Sequence, residues 1–250
     1  MLRMIALVLF TLTGLPLQAQ SFEKVVSNIK SSVVGIGVHD PLGSPKNALQ
    51  GTGFAVGDGH HIVTNFHVVE RALDAESMQK RVVFVGQGER PDVLEAEIII
   101  TNPAHDLAVL RVDKAVKPFK LAKSKRLPDG REIAFTGFPI GAVLGLYPAT
   151  HRGYIAASTP VVTPSANAQQ LSIEMIKRMR EPFLVYQLDA TAYPGNSGSP
   201  VYDVQSGEVV AIINKVFVAQ SKESALSAPS GISYAIPVEY LHALLEEIKD

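Results

Sequence analysis

The stretch Gly53-Phe54-Ala55-Val56-Gly57-Asp58-Gly59-His60-His61-Ile62-Val63-Thr64-Asn65-Phe66-His67-Val68-Val69 reads as two apolar, strand-like runs punctuated by a Gly-Asp-Gly turn. The same texture extends outward on both sides. Val33–Val38 precedes it, and Val82–Val85, Ala96–Ile100 and Leu107–Val112 follow, separated by Gly, Pro, Asp or Asn. Six short runs at such spacing predict an antiparallel barrel or sandwich. A connector, Asp113 to Arg131, interleaves Lys114, Lys117, Lys120, Lys123, Lys125 and Arg126 with Pro118 and Pro128, and reads as a solvated crossing with Leu121 tucked inward, rather than an anion-binding patch. Beyond it strand texture resumes at Glu132–Thr136, Gly153–Ser158, Phe183–Leu188, Pro200–Tyr202, Val209–Phe217 and Ser233–Ile236. The expected fold is therefore all-β, two six-stranded antiparallel β-barrels of similar size.

Three segments depart from this texture. Phe22, Val25, Val26 and Ile29 recur at helical spacing and predict a short N-terminal helix over Ser21 to Lys30. Pro160 to Glu181 opens as a polar loop and ends as a helical piece with Leu171, Met175, Ile176 and Met179 on one face. Leu241, Leu244, Leu245 and Ile248 form the stripe of a C-terminal helix that begins near Pro237. Ahead of all this, Arg3, an apolar run from Ile5 to Leu12 and small Ala19 follow the order of a secretory signal peptide. The run falls well short of the ~20 apolar residues that span a bilayer, so no stable membrane anchor is expected after cleavage. The expected division is 1–19 as signal peptide, 20–118 as the first barrel, and 119–250 as the second barrel with its terminal helix.

Composition removes several chemistries. Lys and Arg total 23 against 24 Asp and Glu, which gives no basic excess for a nucleic-acid partner. With no cysteine the chain has no disulfides, thiolate zinc sites, iron–sulfur ligands or cysteine nucleophile. His60 and His61 are adjacent, and neighbours on a strand point to opposite faces, so they do not make a metal pair. No metal and no cofactor are expected.

One turn stands out chemically. In Pro194-Gly195-Asn196-Ser197-Gly198-Ser199-Pro200 two glycines bracket Ser197, so the backbone can present a hydroxyl and nearby N–H groups outward. An ordinary Gly/Asn/Ser turn has the same composition. A nucleophilic serine needs a base, and His67 at the end of a strand-like run is one of seven histidines. The base in turn needs a carboxylate to orient it. Asp106 heads the apolar run Leu107–Val112, while Asp113 and Asp189 compete on the same argument.

Taken together, Gly51-Thr52-Gly53-Phe54, Ile62-Val63-Thr64-Asn65-Phe66-His67-Val68-Val69, Asp106-Leu107-Ala108-Val109-Leu110 and Pro194-Gly195-Asn196-Ser197-Gly198 resemble the trypsin-like serine proteases, nearest to the protease domain of the bacterial HtrA (Deg) family. Gly137-Phe138-Pro139, Gly207-Glu208-Val209-Val210 and Gly231-Ile232-Ser233-Tyr234-Ala235-Ile236-Pro237 extend the likeness over nearly all of Ser21 to Pro237. The order His, Asp, Ser is that of the chymotrypsin fold.

The resemblance implies His67 as general base, Asp106 as its orienting carboxylate and Ser197 as nucleophile, with the N–H groups of Gly195 and Ser197 as oxyanion hole. It puts neutral Thr191 near the base of the specificity pocket and Ile212, Ile213, Asn214, Lys215 and Val216 along its wall, which implies cleavage after small or medium aliphatic residues. The implied activity is that of an exported serine endopeptidase acting on polypeptides in the periplasm or outside the cell. A peptide-binding module without turnover and an esterase are the alternatives on the same fold. The 53 residues after Ser197 leave no room for a PDZ domain, and Ser199-Pro200 replaces the usual glycine and small apolar residue. Pro160 to Glu181 falls where related proteases keep regulatory loops, which implies a gate.

Overall fold

The computed structural model describes residues 21–88, 90–123, 126–140, 145–160, 183–214 and 231–248. Helix α1 (Phe22–Ile29) leads into β1 (Val33–His39), β2 (Asn47–Val56), β3 (His61–Thr64), the one-turn helix α2 (Phe66–Val69), β4 (Lys80–Val85), β5 (Asp92–Asn102) and β6 (Leu107–Val112). After the connector come β7 (Glu132–Gly137), β8 (Ala149–Pro160), β9 (Leu184–Asp189), β10 (Pro200–Asp203), β11 (Val209–Ile213), β12 (Ile232–Pro237) and helix α3 (Val238–Glu246). The strands close into two antiparallel barrels ordered β1-β2-β3-β6-β5-β4 and β7-β8-β9-β12-β11-β10, the same topology twice. Among the described residues no helix is long and apolar enough to cross a membrane.

The near-continuous apolar runs have a simple cause. Successive side chains of a strand point to opposite faces, and in β3, β6, β7, β10 and β11 both faces are buried, whereas β5 and β8 keep one face largely open. Val34, Ile36, Ala55, Ile62, Ala108 and Leu110 fill the first barrel. Their alternates Val33, Phe54, Val56, Val63, Leu107 and Val109 pack outward into a shared layer with Phe138, Tyr202, Val209, Ile212 and Ile236 of the second. Ile133, Phe135, Ile155, Leu188, Val201 and Ile213 fill the second barrel. Val25 and Ile29 of α1, and Val238, Leu241 and Leu244 of α3, close the shared layer at its margins.

Two readings need correction. The run Ile62–Val69 is not one strand, because β3 stops at Thr64 and the chain turns into α2. Local β propensity yields there to contacts with the Asp106 turn, since the Phe66 N–H reaches the Asp106 carbonyl at 3.2 Å and the His67 N–H reaches its carboxylate at 2.9 Å. Nor is the connector wholly solvated. Val116 and Phe119 are buried, and Leu121 bridges to Val209. The expected signal peptide, the helical piece within Pro160 to Glu181 and the end of the Val209–Phe217 run lie outside the described residues.

Candidate active site

The shared layer packs the two barrels together; His67 and Asp106 pair on the first, and the Ser197 turn of the second reaches Gly51 and Thr52 of β2. His67 lies in α2. Its Nδ1 stands 2.7 Å from Asp106 Oδ2 while its own backbone N–H donates to Asp106 Oδ1 at 2.9 Å. One carboxylate therefore fixes both the ring and the main chain of the histidine. With the Nδ1 proton spent on Asp106, Nε2 is the ring nitrogen left to accept one. Both side chains are partly open to solvent, 23% for His67 and 17% for Asp106, as a site that must meet substrate requires.

Asp106 sits in the left-handed region at φ +53°, which Asp tolerates better than most residues. Asn65, fully buried, donates from Nδ2 to the Asp106 carbonyl at 3.1 Å and helps to hold that conformation. Asp113 and Asp189 take no part in the His67 pairing.

Ser197 lies in the turn before β10. Its carbonyl accepts from the Thr52 N–H at 2.9 Å, and a Cβ on Gly51 would meet both that carbonyl and the methyls of Val68, the residue after His67. The Ser197 turn and α2 thus meet over Gly51. Among the described residues the N–H groups of Gly195 and Ser197 make no hydrogen bond, and neither does the Ser197 hydroxyl. The Pro194 carbonyl is held by the Ile140 N–H at 2.8 Å. Because the peptide is planar and trans, this turns the Gly195 N–H the opposite way. Gly195 must be glycine: its φ is +99°, and a Cβ would stand 2.3 Å from the Phe138 carbonyl. Ser199 is accommodated by Gly137, where any Cβ would collide with the Ser199 hydroxyl.

The residues that the resemblance puts at a specificity pocket are placed more loosely. Thr191 is half-buried between Ala190 and Ala192, which the buried Ser233 hydroxyl ties together, donating to the Ala190 carbonyl at 2.8 Å and accepting from the Ala192 N–H at 2.9 Å. Ile212 and Ile213 are wholly buried in the core layers, and the Asn214 N–H donates to the Tyr234 carbonyl at 2.9 Å. Lys215 and Val216 lie outside the described residues. No group of His, Asp and Glu suited to a metal ion occurs among the described residues. Asn65, Thr52 and Ser233 escaped the sequence reading; only the glycines flanking Thr52 hinted that its backbone is closely approached.

Residues 51–212 match the model of the trypsin-like peptidase domain. This chain belongs to that family. A probable periplasmic serine endoprotease, DegP-like, from Ectopseudomonas mendocina is 29% identical over 212 residues, covering 84% of this chain and 37% of the relative. The chain spans between 35 and 39% of the length of the curated relatives it matches. Among solved structures, an HtrA-type protease with a tripeptide superposes with a TM-score of 0.67 at 22% identity, covering 92% of this chain and 64% of that one. The active form of a Mycobacterium tuberculosis protease does so at 0.66 and 20% identity, covering 98% and 94%.

Proposed function

We propose that this trypsin-like peptidase domain is a serine endopeptidase of the cell envelope, hydrolysing polypeptides through an acyl-enzyme on Ser197. The observation that carries the reading is the doubly bonded His67–Asp106 pair, whose helix α2 meets the Ser197 turn over Gly51, together with the unspent Gly195 and Ser197 N–H groups of that turn. His67 Nε2 takes the Ser197 proton as the hydroxyl attacks the scissile carbonyl, and Asp106 stabilises the imidazolium. The oxyanion accepts from the Gly195 and Ser197 N–H groups. His67 then returns the proton to the leaving amine, and water repeats the sequence on the acyl-enzyme.

Neutral Thr191, tied down on both sides by Ser233, suits a small or medium aliphatic side chain rather than Lys or Arg. Export rests on the charged, apolar, small-residue order of Met1 to Ala19 and on the periplasmic names of the relatives. The test is labelling with a fluorophosphonate together with cleavage of unfolded casein. The wild type should do both and Ser197→Ala neither. Label on a residue other than Ser197 would overturn the assignment, and labelling without peptide cleavage would favour an esterase.

A further inference from the structure

Thr52 stands where β2 of the first barrel passes under the nucleophile turn of the second, and all its polar groups are engaged. Its N–H donates to the Ser197 carbonyl at 2.9 Å, and its hydroxyl donates to the Gly195 carbonyl at 2.7 Å. The same hydroxyl accepts from the Phe138 N–H at 3.1 Å, and its carbonyl accepts from the Thr64 hydroxyl at 2.8 Å. Thr52 is wholly buried, so water does not compete for these partners.

We infer that Thr52 is a positioning residue for the oxyanion hole. It grips the carbonyls of Gly195 and Ser197, the two residues whose N–H groups would bind the oxyanion. The inference rests on the oxyanion-hole reading above and extends it to the opposite barrel.

The physical argument concerns Gly195. A glycine visits positive and negative φ with equal ease, so nothing in Gly195 itself keeps its N–H aimed at a substrate. Two peptide planes meet at its Cα, and each is held by its carbonyl: Pro194 by the Ile140 N–H at 2.8 Å, Gly195 by Thr52. Fixing the second plane also directs the Asn196 N–H, which donates to the Tyr193 carbonyl at 3.0 Å. Two glycines let Thr52 come this close, and a third lets the turn pass Phe138. A Cβ on Gly198 would fall 2.1 Å from the Thr52 carbonyl, one on Gly137 would fall 2.9 Å from its hydroxyl, and one on Gly195 would strike the Phe138 carbonyl. The hydroxyl thus joins the first barrel to Gly195 and Phe138 at once. A hole whose donors are preset does not have to reorganise as charge develops. Losing that setting weakens the transition state more than the bound substrate, so kcat falls and KM does not.

The experiment compares Thr52→Val, which keeps shape and removes the hydroxyl, with Thr52→Ser, which keeps the hydroxyl and removes a methyl. Thr136→Val serves as a stability control, because it deletes another buried hydroxyl, one that meets Tyr202 and Thr150. On a peptide substrate, Thr52→Val should lower kcat about 10- to 100-fold with KM within about twofold. Thr52→Ser should recover most of that loss, and Thr136→Val should lower the melting temperature without slowing turnover comparably. The inference is overturned by normal kcat in Thr52→Val, by Thr52→Ser as slow as Thr52→Val, or by equal slowing in Thr136→Val. Ser197→Ala separates the two levels: if it turns over substrate, the active-site reading fails. If it is inert while Thr52→Val is unimpaired, only the role of Thr52 fails.

Discussion

At the scale of single residues the site depends on how one carboxylate divides its two oxygens. Asp106 Oδ1 receives the His67 main-chain N–H and Oδ2 receives the ring. An amide at this position cannot serve both, because one contact must then face an N–H with another donor. If the amide NH₂ turns to the ring, Nδ1 has to accept, the ring proton moves to Nε2, and the base is lost. Asp106→Asn should therefore keep its fold and lose turnover by about 10⁴-fold near neutral pH. Stopped-flow acylation by a peptide ester, read beside the melting temperature, checks this; acylation at the wild-type rate would show that the pair does not drive the chemistry. Ser197 was singled out in the chain by its glycine bracket, whereas Asp106 shared its local mark with Asp113 and Asp189 and was singled out only by the family resemblance. Asn65 and Ser233 carry none, and Thr52 has only its flanking glycines. Their partners are main-chain atoms far away in sequence, 143 residues in the case of Thr52 and Gly195, and no local pattern encodes such a pairing.

At the scale of elements, the hairpin of β10 and β11 holds the strand that issues from the nucleophile turn. Its corner is built on Asp203, whose Oδ1 accepts from the Gln205 and Ser206 N–H groups at 3.0 Å each while Oδ2 pairs with Arg131. Burial by itself would raise the Asp203 pKa, but the Ser206 N–H, the Arg131 guanidinium and the Gln205 N–H together hold it below the ordinary carboxylate value. A carboxyl with a lower pKa folded than unfolded contributes stability above its unfolded value of about 3.9, and loses it as pH falls through the folded one. Asp203→Asn should therefore melt lower than wild type at pH 7, with the gap narrowing steadily below about pH 4. Melting curves of both proteins at pH 7 and pH 3 decide it, and an unchanged gap would contradict the linkage. Strands such as β6, β7 and β11 were readable because both of their faces are buried, which leaves unbroken apolar runs between turn residues. The same feature hid α2: Phe66-His67-Val68-Val69 has the composition of a strand, and only contacts with the distant Asp106 turn bend it into a helical turn.

At the scale of the whole molecule, two barrels without a disulfide meet through one continuous apolar layer. Phe119 of the connector is the piece that the sequence disguised, one aromatic among lysines. Its ring stands edge-on to Phe54 of the first barrel at 5.7 Å between centroids and tilts against Tyr202 of the second at 6.3 Å. Its N–H also donates to the Ala55 carbonyl at 2.8 Å. Residues from both barrels, α1 and α3 all pack into this layer, so neither barrel can open without exposing apolar surface of the other. Unfolding should then be one cooperative transition, with calorimetric and van't Hoff enthalpies in agreement. Phe119→Ala should destabilise the molecule by about 3–5 kcal/mol, lowering that single transition rather than releasing one barrel early. Calorimetry gives the answer directly: two resolved transitions in the wild type would mean that the barrels are independent. A Phe119→Ala protein whose barrels melt separately would instead locate their coupling in that one ring. The proposed site, with its base on one barrel and its nucleophile on the other, needs the single transition, because every opening between the barrels separates His67 from Ser197.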